Sequence, residues 1–426
     1  MNLSKYVLVT DSIDNKFKLL YNKKNGFFIR YDKDIFPSLE DFYGDSDVES
    51  FLSDKLFFES DNEFSYIQEN KNKSIKSDGF MQLIIKVTKD CNLRCSYCYE
   101  NFSDKNMSKD DADKIIKFIK SYVVDNDIKT LSIGWFGGEP TLNIEIIRYI
   151  TDNIRDFLDE HEVQYIPTIV TNGYNLDNVV FNELINLGIR QFQITVDGDK
   201  ELHDKTRLTK NGNGSFDIII NNLKKLKNTS EKFSLTLRMN VNKNFFDRLD
   251  KVKKDVFDKF KIDDRFKIDI HKIVDFEGDK VNKIDREIAE LMLELTKEGY
   301  NIVDQRVNLN TYGALCYAQK NNCFVINSDC KVSKCTVCNF DYSYIGYIDI
   351  NGELKYNDNI KVWESLNKIE CRNCTSYPIC FGASCPLKAI RKSNKCCKSF
   401  IGYEETLLKI LNEQGKFNMT IGGNYV

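Results

Sequence analysis

The sequence predicts an α/β protein built on a parallel sheet curled into a partial, TIM-like (β/α)6 barrel, and three observations carry that expectation. Between residues 80 and 275, six apolar, β-rich runs alternate with amphipathic helical stretches, the crossovers that parallel neighbours require. Short polar or glycine motifs directly follow the first four of these runs, where barrels of this kind keep their working groups. Eleven of the fourteen cysteines lie beyond residue 315 and the other three form one tight cluster, so a cysteine-rich region is expected after the barrel.

The elements follow in order. Residues 1–75 read as strands "KYVLVT", "FKLLYN" and "GFFIRY", the last two joined by "KKNG", whose Asn25-Gly26 suits a hairpin. Helical "SLEDFYG" and "DVESFLSDKLFF" complete a small module. "ENKNKSIKSDG", residues 69–79, is polar and aperiodic and reads as a linker. The barrel, residues 80–275, takes strands at "QLIIKVT", "TLSIGWF", "YIPTIVT", "IRQFQITV", "FSLTLRMNV" and "FKIDIHKIV". Helices such as "DDADKIIKFIKSYVV", "NIEIIRYITDNIRDFL", "NVVFNELINLG" and "FDIIINNLKKLK" lie between them. Residues 276–310 bridge to a cysteine-rich domain at 311–400, and 401–426 form a helix and tail.

Composition narrows the setting. With 426 residues, 42% of them hydrophobic, the chain can bury a sizeable core over two or three domains. Sixty-one basic and 64 acidic residues leave a formal charge of -3 without long blocks of either sign, which argues against nucleic acid or a membrane surface as main partner. No run approaches the length that spans a bilayer. The opening "MNLSKYVLVTDSIDNKFK" has no continuous apolar segment and no small-residue cleavage site, so the thiols are expected in the cytoplasm, ligating metal rather than forming disulfides.

Four motifs share the expected rim: the loop "DCNLRCSYCYE" with Cys91, Cys95 and Cys98 after the first strand, "GGEP" (137–140) after the second, "TNG" (171–173) after the third, and "DG" (197–198) after the fourth. Alone, each glycine or Asn-Gly pair is an ordinary turn signal. Their common placement raises the functional reading.

"CNLRCSYC" followed, after the next helix and strand, by "GGEP" resembles the radical S-adenosylmethionine (SAM) superfamily, whose pattern is Cys-x3-Cys-x-aromatic-Cys, over roughly residues 80–275. The resemblance implies that Cys91, Cys95 and Cys98 hold three irons of a [4Fe-4S] cluster and leave the fourth open to the amino and carboxylate groups of SAM. It also implies cleavage of SAM to a 5'-deoxyadenosyl radical, chemistry no side chain supplies. Tyr97 would sit near the adenine, Gly137 and Gly138 would let backbone approach the cofactor, and Glu139 would accept from the methionine ammonium. Arg207 in "HDKTRLTK" matches an arginine that meets the methionine carboxylate in several relatives, or is a solvated loop residue. Asn172 and Asp197 serve the ribose or shape turns, and His203 is structural.

For the later cysteines the plain alternative is zinc, with Cys335-x2-Cys338 and Cys371-x2-Cys374 as one four-thiolate site. That leaves seven thiols over. The arrangement resembles the SPASM domain, which holds auxiliary [4Fe-4S] clusters. Cys371, Cys374 and Cys380 fit its Cys-x2-Cys-x5-Cys pattern, but Cys385 follows after four residues rather than three, and Cys330 stands where a glycine is usual. The resemblance implies one cluster on Cys316, Cys323, Cys335 and Cys385, and another on Cys371, Cys374, Cys380 and either Cys396 or Cys397. Cys330 and Cys338 are then spare thiols, alternative ligands or a catalytic thiol.

The N-terminal order of strands, hairpin and acidic helices resembles the winged-helix-like peptide-recognition element of radical maturases of ribosomally made peptides. That implies a precursor peptide whose leader segment adds as a strand to an exposed sheet edge. Otherwise the module only shields the barrel. The combined expectation is a radical SAM/SPASM peptide maturase that forms a crosslink, such as a thioether to cysteine, and takes electrons from a flavodoxin or ferredoxin in an anaerobic or low-oxygen cell. The alternatives are an anaerobic sulfatase maturase that makes formylglycine from Cys or Ser and, from another class, a non-catalytic zinc or iron-sulfur scaffold.

Overall fold

A computed structural model describes residues 2–273, 284–303, 315–337, 342–366, 371–382, 385–391 and 404–421. Cys338, Cys396, Cys397 and much of the expected 276–310 bridge lie outside the described residues.

Strands β1 (Val7–Asp11), β2 (Phe17–Asn22) and β3 (Phe27–Asp32) form an antiparallel meander. Gly26, at φ 74°, closes the expected hairpin with its N–H on the Asn22 carbonyl at 2.8 Å. Helices Leu39–Gly44 and Ser46–Asp54 follow, the first started by a Ser38/Asp41 capping box and the second by the Asp45 carboxylate.

The segment read as a linker is instead helical, within Glu63–Lys76 and stopped by left-handed Ser77. Its inward stripe is Phe64, Ile67, Lys71 and Ile75, a helical period in which a lysine replaces an apolar residue. Lys71 is buried with its ammonium 5.7 Å from the Tyr377 ring, so its alkyl stem does apolar work that composition conceals.

The barrel strands are β4 (Phe80–Lys86), β6 (Thr130–Phe136), β7 (Gln164–Thr171), β8 (Gln191–Thr195), β10 (Ser234–Val241) and β11 (Phe266–Lys272), with β5 (Leu93–Cys95) and β9 (Arg207–Thr209) forming a separate antiparallel pair. The six pair in chain order, all parallel. Helices Lys109–Asp125, Ile144–Glu160, Asn178–Asn186 and Phe216–Lys227 supply crossovers. Inward residues alternate as the sequence pattern requires: Leu131, Ile133 and Trp135 on β6 are fully buried in the main core.

The sheet does not stop at β4. Its other edge pairs in parallel with β12 (Cys323–Ile326), and β13 (Lys331–Ser333), β14 (Tyr344–Ile348) and β15 (Leu354–Tyr356) extend it to ten strands. The cysteine-rich region is therefore hydrogen-bonded to the barrel, with Cys323 in register with Gln82. Helix Glu404–Glu413 returns to the N-terminal sheet, and a short strand, Met419–Ile421, pairs in parallel with β3. One of that sheet's two edges, expected to be open, is closed by the chain itself.

Candidate active site

The C-terminal ends of the barrel strands open on one cavity of about 250 Å³, with Cys91, Cys95 and Cys98 all on its wall. The loop that carries them is tied down on each side. Asp90 accepts from the Cys91 N–H at 2.7 Å and pairs with Lys210, while β5 lays Cys95 opposite Arg207 on β9. The Cys91 sulfur accepts from the Leu93 N–H at 3.4 Å and from Asn172 Nδ2 at 3.7 Å. Burial pushes the Cys91 thiol up to about 12, and raises Cys95 and Cys98 as well. Such thiols bind as thiolates only against a strong local cation, which iron provides.

Gly137 and Gly138 hold the end of β6 against this loop. A Cβ on Gly137, whose φ is 145°, would stand 2.5 Å from the Thr88 carbonyl oxygen, and one on Gly138 would stand 2.0 Å from that of Asp90. Backbone bonds from Gly138 to Thr88 (3.0 Å) and from Glu139 to Asp90 (2.8 Å) use that closeness. The Glu139 carboxylate is arranged differently from the expectation. It is fully buried behind the wall and accepts from Thr141 N (3.1 Å), Thr141 Oγ1 (2.7 Å), Thr171 Oγ1 (2.6 Å) and Asn172 N (2.7 Å). Four donors already engage it, so what this side chain does here is hold Asn172 in place. Asn172 itself lines the cavity and reaches Asn92 Oδ1 at 2.7 Å.

Tyr97 leans across the cavity from the cysteine loop. Its hydroxyl donates to Asp197 and accepts from Arg207 Nη1 at 2.8 Å and Asn240 Nδ2 at 3.3 Å. Asp197 Oδ1 also accepts from the Asn240 N–H at 2.9 Å. Arg207 is buried on the cavity wall rather than solvated, and its Nε has no partner among the described residues. His203 is buried and far below its ordinary pKa because burial disfavours its charge, with Arg207 adding to the effect. Its Nδ1 accepts from the Asp197 N–H (3.2 Å), its Nε2 meets Ser215 Oγ (3.0 Å), and Ser215 donates to the Arg207 carbonyl (2.6 Å). This relay fixes one tautomer and places Arg207.

Three further lining residues, Arg238, Asn240 and Lys272, escaped the sequence reading. They carry no motif; only their position at the ends of β10 and β11 marks them. Arg238 pairs with buried Asp269 at 3.0 Å and Lys272 with Asp285.

In the cysteine-rich region the Cys316 thiol is pushed up to about 12 by burial and then by its neighbours Cys335, Cys385 and Cys323. Those four are the set expected to share a cluster. Cys330 is buried elsewhere, its thiol against the Asp111 carbonyl at 3.5 Å. Cys371 and Cys374 pack with Tyr6, Ile67, Tyr377 and Phe381, and Cys380 ends the helix Tyr377–Cys380. Among the described residues no three His, Cys, Asp or Glu side chains are arranged to hold a single metal ion. The residues around Cys91 fit an iron-sulfur cluster and its bound cofactor: free thiols on one wall, a glycine cradle without room for side chains, and an orphaned arginine donor beside them.

Residues 85–252 match the profile of the radical SAM superfamily. An uncharacterized protein of Methanocaldococcus jannaschii is 34% identical over 160 residues, 37% of this chain and 53% of its own length. The chain thus spans about half of that relative. A cysteine-type anaerobic sulfatase-maturating enzyme of Clostridium novyi is 29% identical over 331 residues, 70% of this chain and 86% of that one. Among solved structures, native anSMEcpe with bound AdoMet and Cp18Cys peptide superposes with a TM-score of 0.58 at 19% identity, covering 79% of this chain and 97% of that one. Streptococcus suis SuiB bound to precursor peptide SuiA gives 0.54 at 16% identity, covering 92% of this chain and 97% of that one.

Proposed function

We propose that the chain, whose residues 85–252 match the radical SAM superfamily, is an enzyme of that superfamily and that its substrate is a precursor peptide, in which it forms a crosslink such as a thioether to cysteine. The observation that carries this reading is the extent of the likeness to peptide-bound SuiB. It leaves under a tenth of this chain uncovered, too little to exclude the N-terminal strand-and-helix module. That module stands directly on the cysteine-rich segment: Tyr6 Oη donates to the Arg372 carbonyl at 3.3 Å and Gln68 Nε2 to Tyr377 Oη at 2.8 Å. A second reading, oxidation of a cysteine or serine to formylglycine, is favoured by the Clostridium novyi relative, whose identity runs over 70% of this chain.

A [4Fe-4S] cluster on Cys91, Cys95 and Cys98, with SAM bound to it, would supply a carbon-hydrogen-abstracting radical. Arg207, whose Nε has no partner among the described residues, would take an anionic group of the cofactor, and Asn172 and Tyr97 would border it. Arg238 on β10 and Lys272 on β11 line the same cavity and would meet the substrate. Cys316, Cys323, Cys335 and Cys385 would hold one auxiliary cluster, and Cys371, Cys374, Cys380 and Cys396 or Cys397 a second. A flavodoxin or ferredoxin would deliver the electrons.

The test is anaerobic reconstitution, with iron counted and SAM cleavage followed in wild type and in the Cys91→Ala/Cys95→Ala/Cys98→Ala variant. About twelve irons at four per cluster are expected, with about four fewer and no deoxyadenosine in the variant. Product mass then separates the readings: loss of two hydrogens with a blocked thiol marks the crosslink, and an aldehyde marks formylglycine. Bound zinc without cleavage overturns both.

A further inference from the structure

The outer edge of β3 is held by a segment 390 residues away in the chain, and the hold is chemically specific. Met419, Thr420 and Ile421 pair in parallel with Ile29, Arg30 and Tyr31. Just before them, Asn418 makes a two-way bond with Phe28: its N–H donates to the Phe28 carbonyl at 2.7 Å and its Oδ1 accepts from the Phe28 N–H at 2.8 Å. Arg30 clamps the same segment. Its guanidinium lies between the rings of Phe17 (4.1 Å) and Phe417 (3.9 Å), and its Nε donates to Thr420 Oγ1 at 2.9 Å.

These contacts read a short pattern, aromatic, Asn, any residue, Thr, on an extended backbone. They are what strand addition to a sheet edge looks like, with backbone bonds for affinity and alternate side chains for selectivity. The paired stretch is only three residues long and its Met419 side faces solvent, so Phe417 and Ile421, each partly buried against the N-terminal sheet, are the apolar contacts that its departure must break. Helix Glu404–Glu413 tethers it beside the edge.

We propose that the outer edge of β3 is an acceptor for an extended peptide, that Phe417–Ile421 is its resident occupant, and that the leader segment of an incoming precursor displaces it. This rests on the reading of the substrate as a precursor peptide. A tethered occupant acts at an effective concentration in the millimolar range, so a peptide in trans binds the edge well only once the occupant is weakened.

The experiment uses the full chain and a fluorescent peptide of sequence KFNMTI, residues 416–421, read by anisotropy. The variant Asn418→Ala/Thr420→Ala, which removes the specific hold, is expected to bind this probe at least tenfold more tightly than wild type, and adding Arg30→Ala is expected to abolish the gain. Equal affinity in wild type and the double variant overturns the proposal. Hydrogen exchange is the second measurement: the β3 amides that face the segment should exchange faster in the double variant, and unchanged exchange overturns it too. Cysteine-containing peptides from small reading frames beside the gene are then added as competitors. Displacement of the probe identifies the leader as the natural occupant. A peptide that is modified but never displaces the probe overturns this proposal and leaves the proposed function standing, whereas a probe that binds while no peptide is modified overturns the peptide-substrate reading instead.

Discussion

Arg207 on β9 and Tyr97 in the cysteine loop share a hydrogen bond of 2.8 Å that fastens this loop to the strand paired with β5. The same hydroxyl donates to buried Asp197, so Tyr97 stands between a cation and a carboxylate that are otherwise 3.9 Å apart. Tyr97→Phe is expected to leave Asp197 short of a donor, at about 1–3 kcal/mol. Chemical denaturation of the cluster-free chain checks the loss, and calorimetry should show weaker SAM binding by the reconstituted chain with iron content unchanged. Unaltered SAM affinity would refute the role given to this bridge.

Gly138→Ala tests the cradle. Its Cβ would lie 2.0 Å from the Asp90 backbone oxygen, a clash that no rotamer relieves. Either β6 or the Cys91 loop must move, at about 1–3 kcal/mol or more. Iron per chain after reconstitution should fall by about four, one cluster's worth.

Much of this was legible in the sequence because the barrel strands bury every second residue, as on β6 and β10, and leave an alternating apolar pattern between helical stretches, so each β-strand of the barrel could be placed within a few residues. The Cys91 loop was legible for a different reason, since three thiols at fixed spacing have few uses. Glu139 was placed at the right rim, but the sequence could not say that both its oxygens face inward donors, because Thr171 and Asn172 come from another strand. Lys71 hid a helix by replacing an apolar residue with an aliphatic stem. Arg238 and Lys272 carry no motif, and the pairing of Met419–Ile421 with β3 spans nearly the whole chain, beyond the reach of any local pattern.

Asp199 gives a pH dependence. Burial alone would raise its carboxyl, but the bidentate Arg248 (3.0 and 2.6 Å), with Lys251 beside it, holds it below the ordinary value. A lowered folded-state pKa means that the pair's stabilisation is complete above the unfolded carboxylate value of about 3.9 and is lost as pH falls through the lowered one. Arg248→Gln should therefore destabilise the chain at pH 7 and lose less than wild type between about pH 5 and 2. Parallel melting curves for the two over that range would refute it. The helix that Asp199 precedes, Lys200–Thr206, leads directly into Arg207, so SAM affinity should weaken in the same variant.

Lys86 joins the two cysteine regions. Buried at the end of β4, it donates to Glu100 at 2.6 Å, two residues past Cys98, and to the carbonyl of Thr336 at 2.7 Å, one residue past Cys335. Removing one partner of a buried pair leaves the other uncompensated, so Lys86→Met should cost about 3–5 kcal/mol. Lys86→Met/Glu100→Gln should recover part of that, because the stranded carboxylate is gone. A double-mutant cycle on the denaturation midpoints measures the coupling, with about 0.5–3 kcal/mol expected for groups in contact. Additive losses would show that the ammonium serves the Thr336 carbonyl alone, and the loop holding Cys98 would then owe its position to β5 and β9.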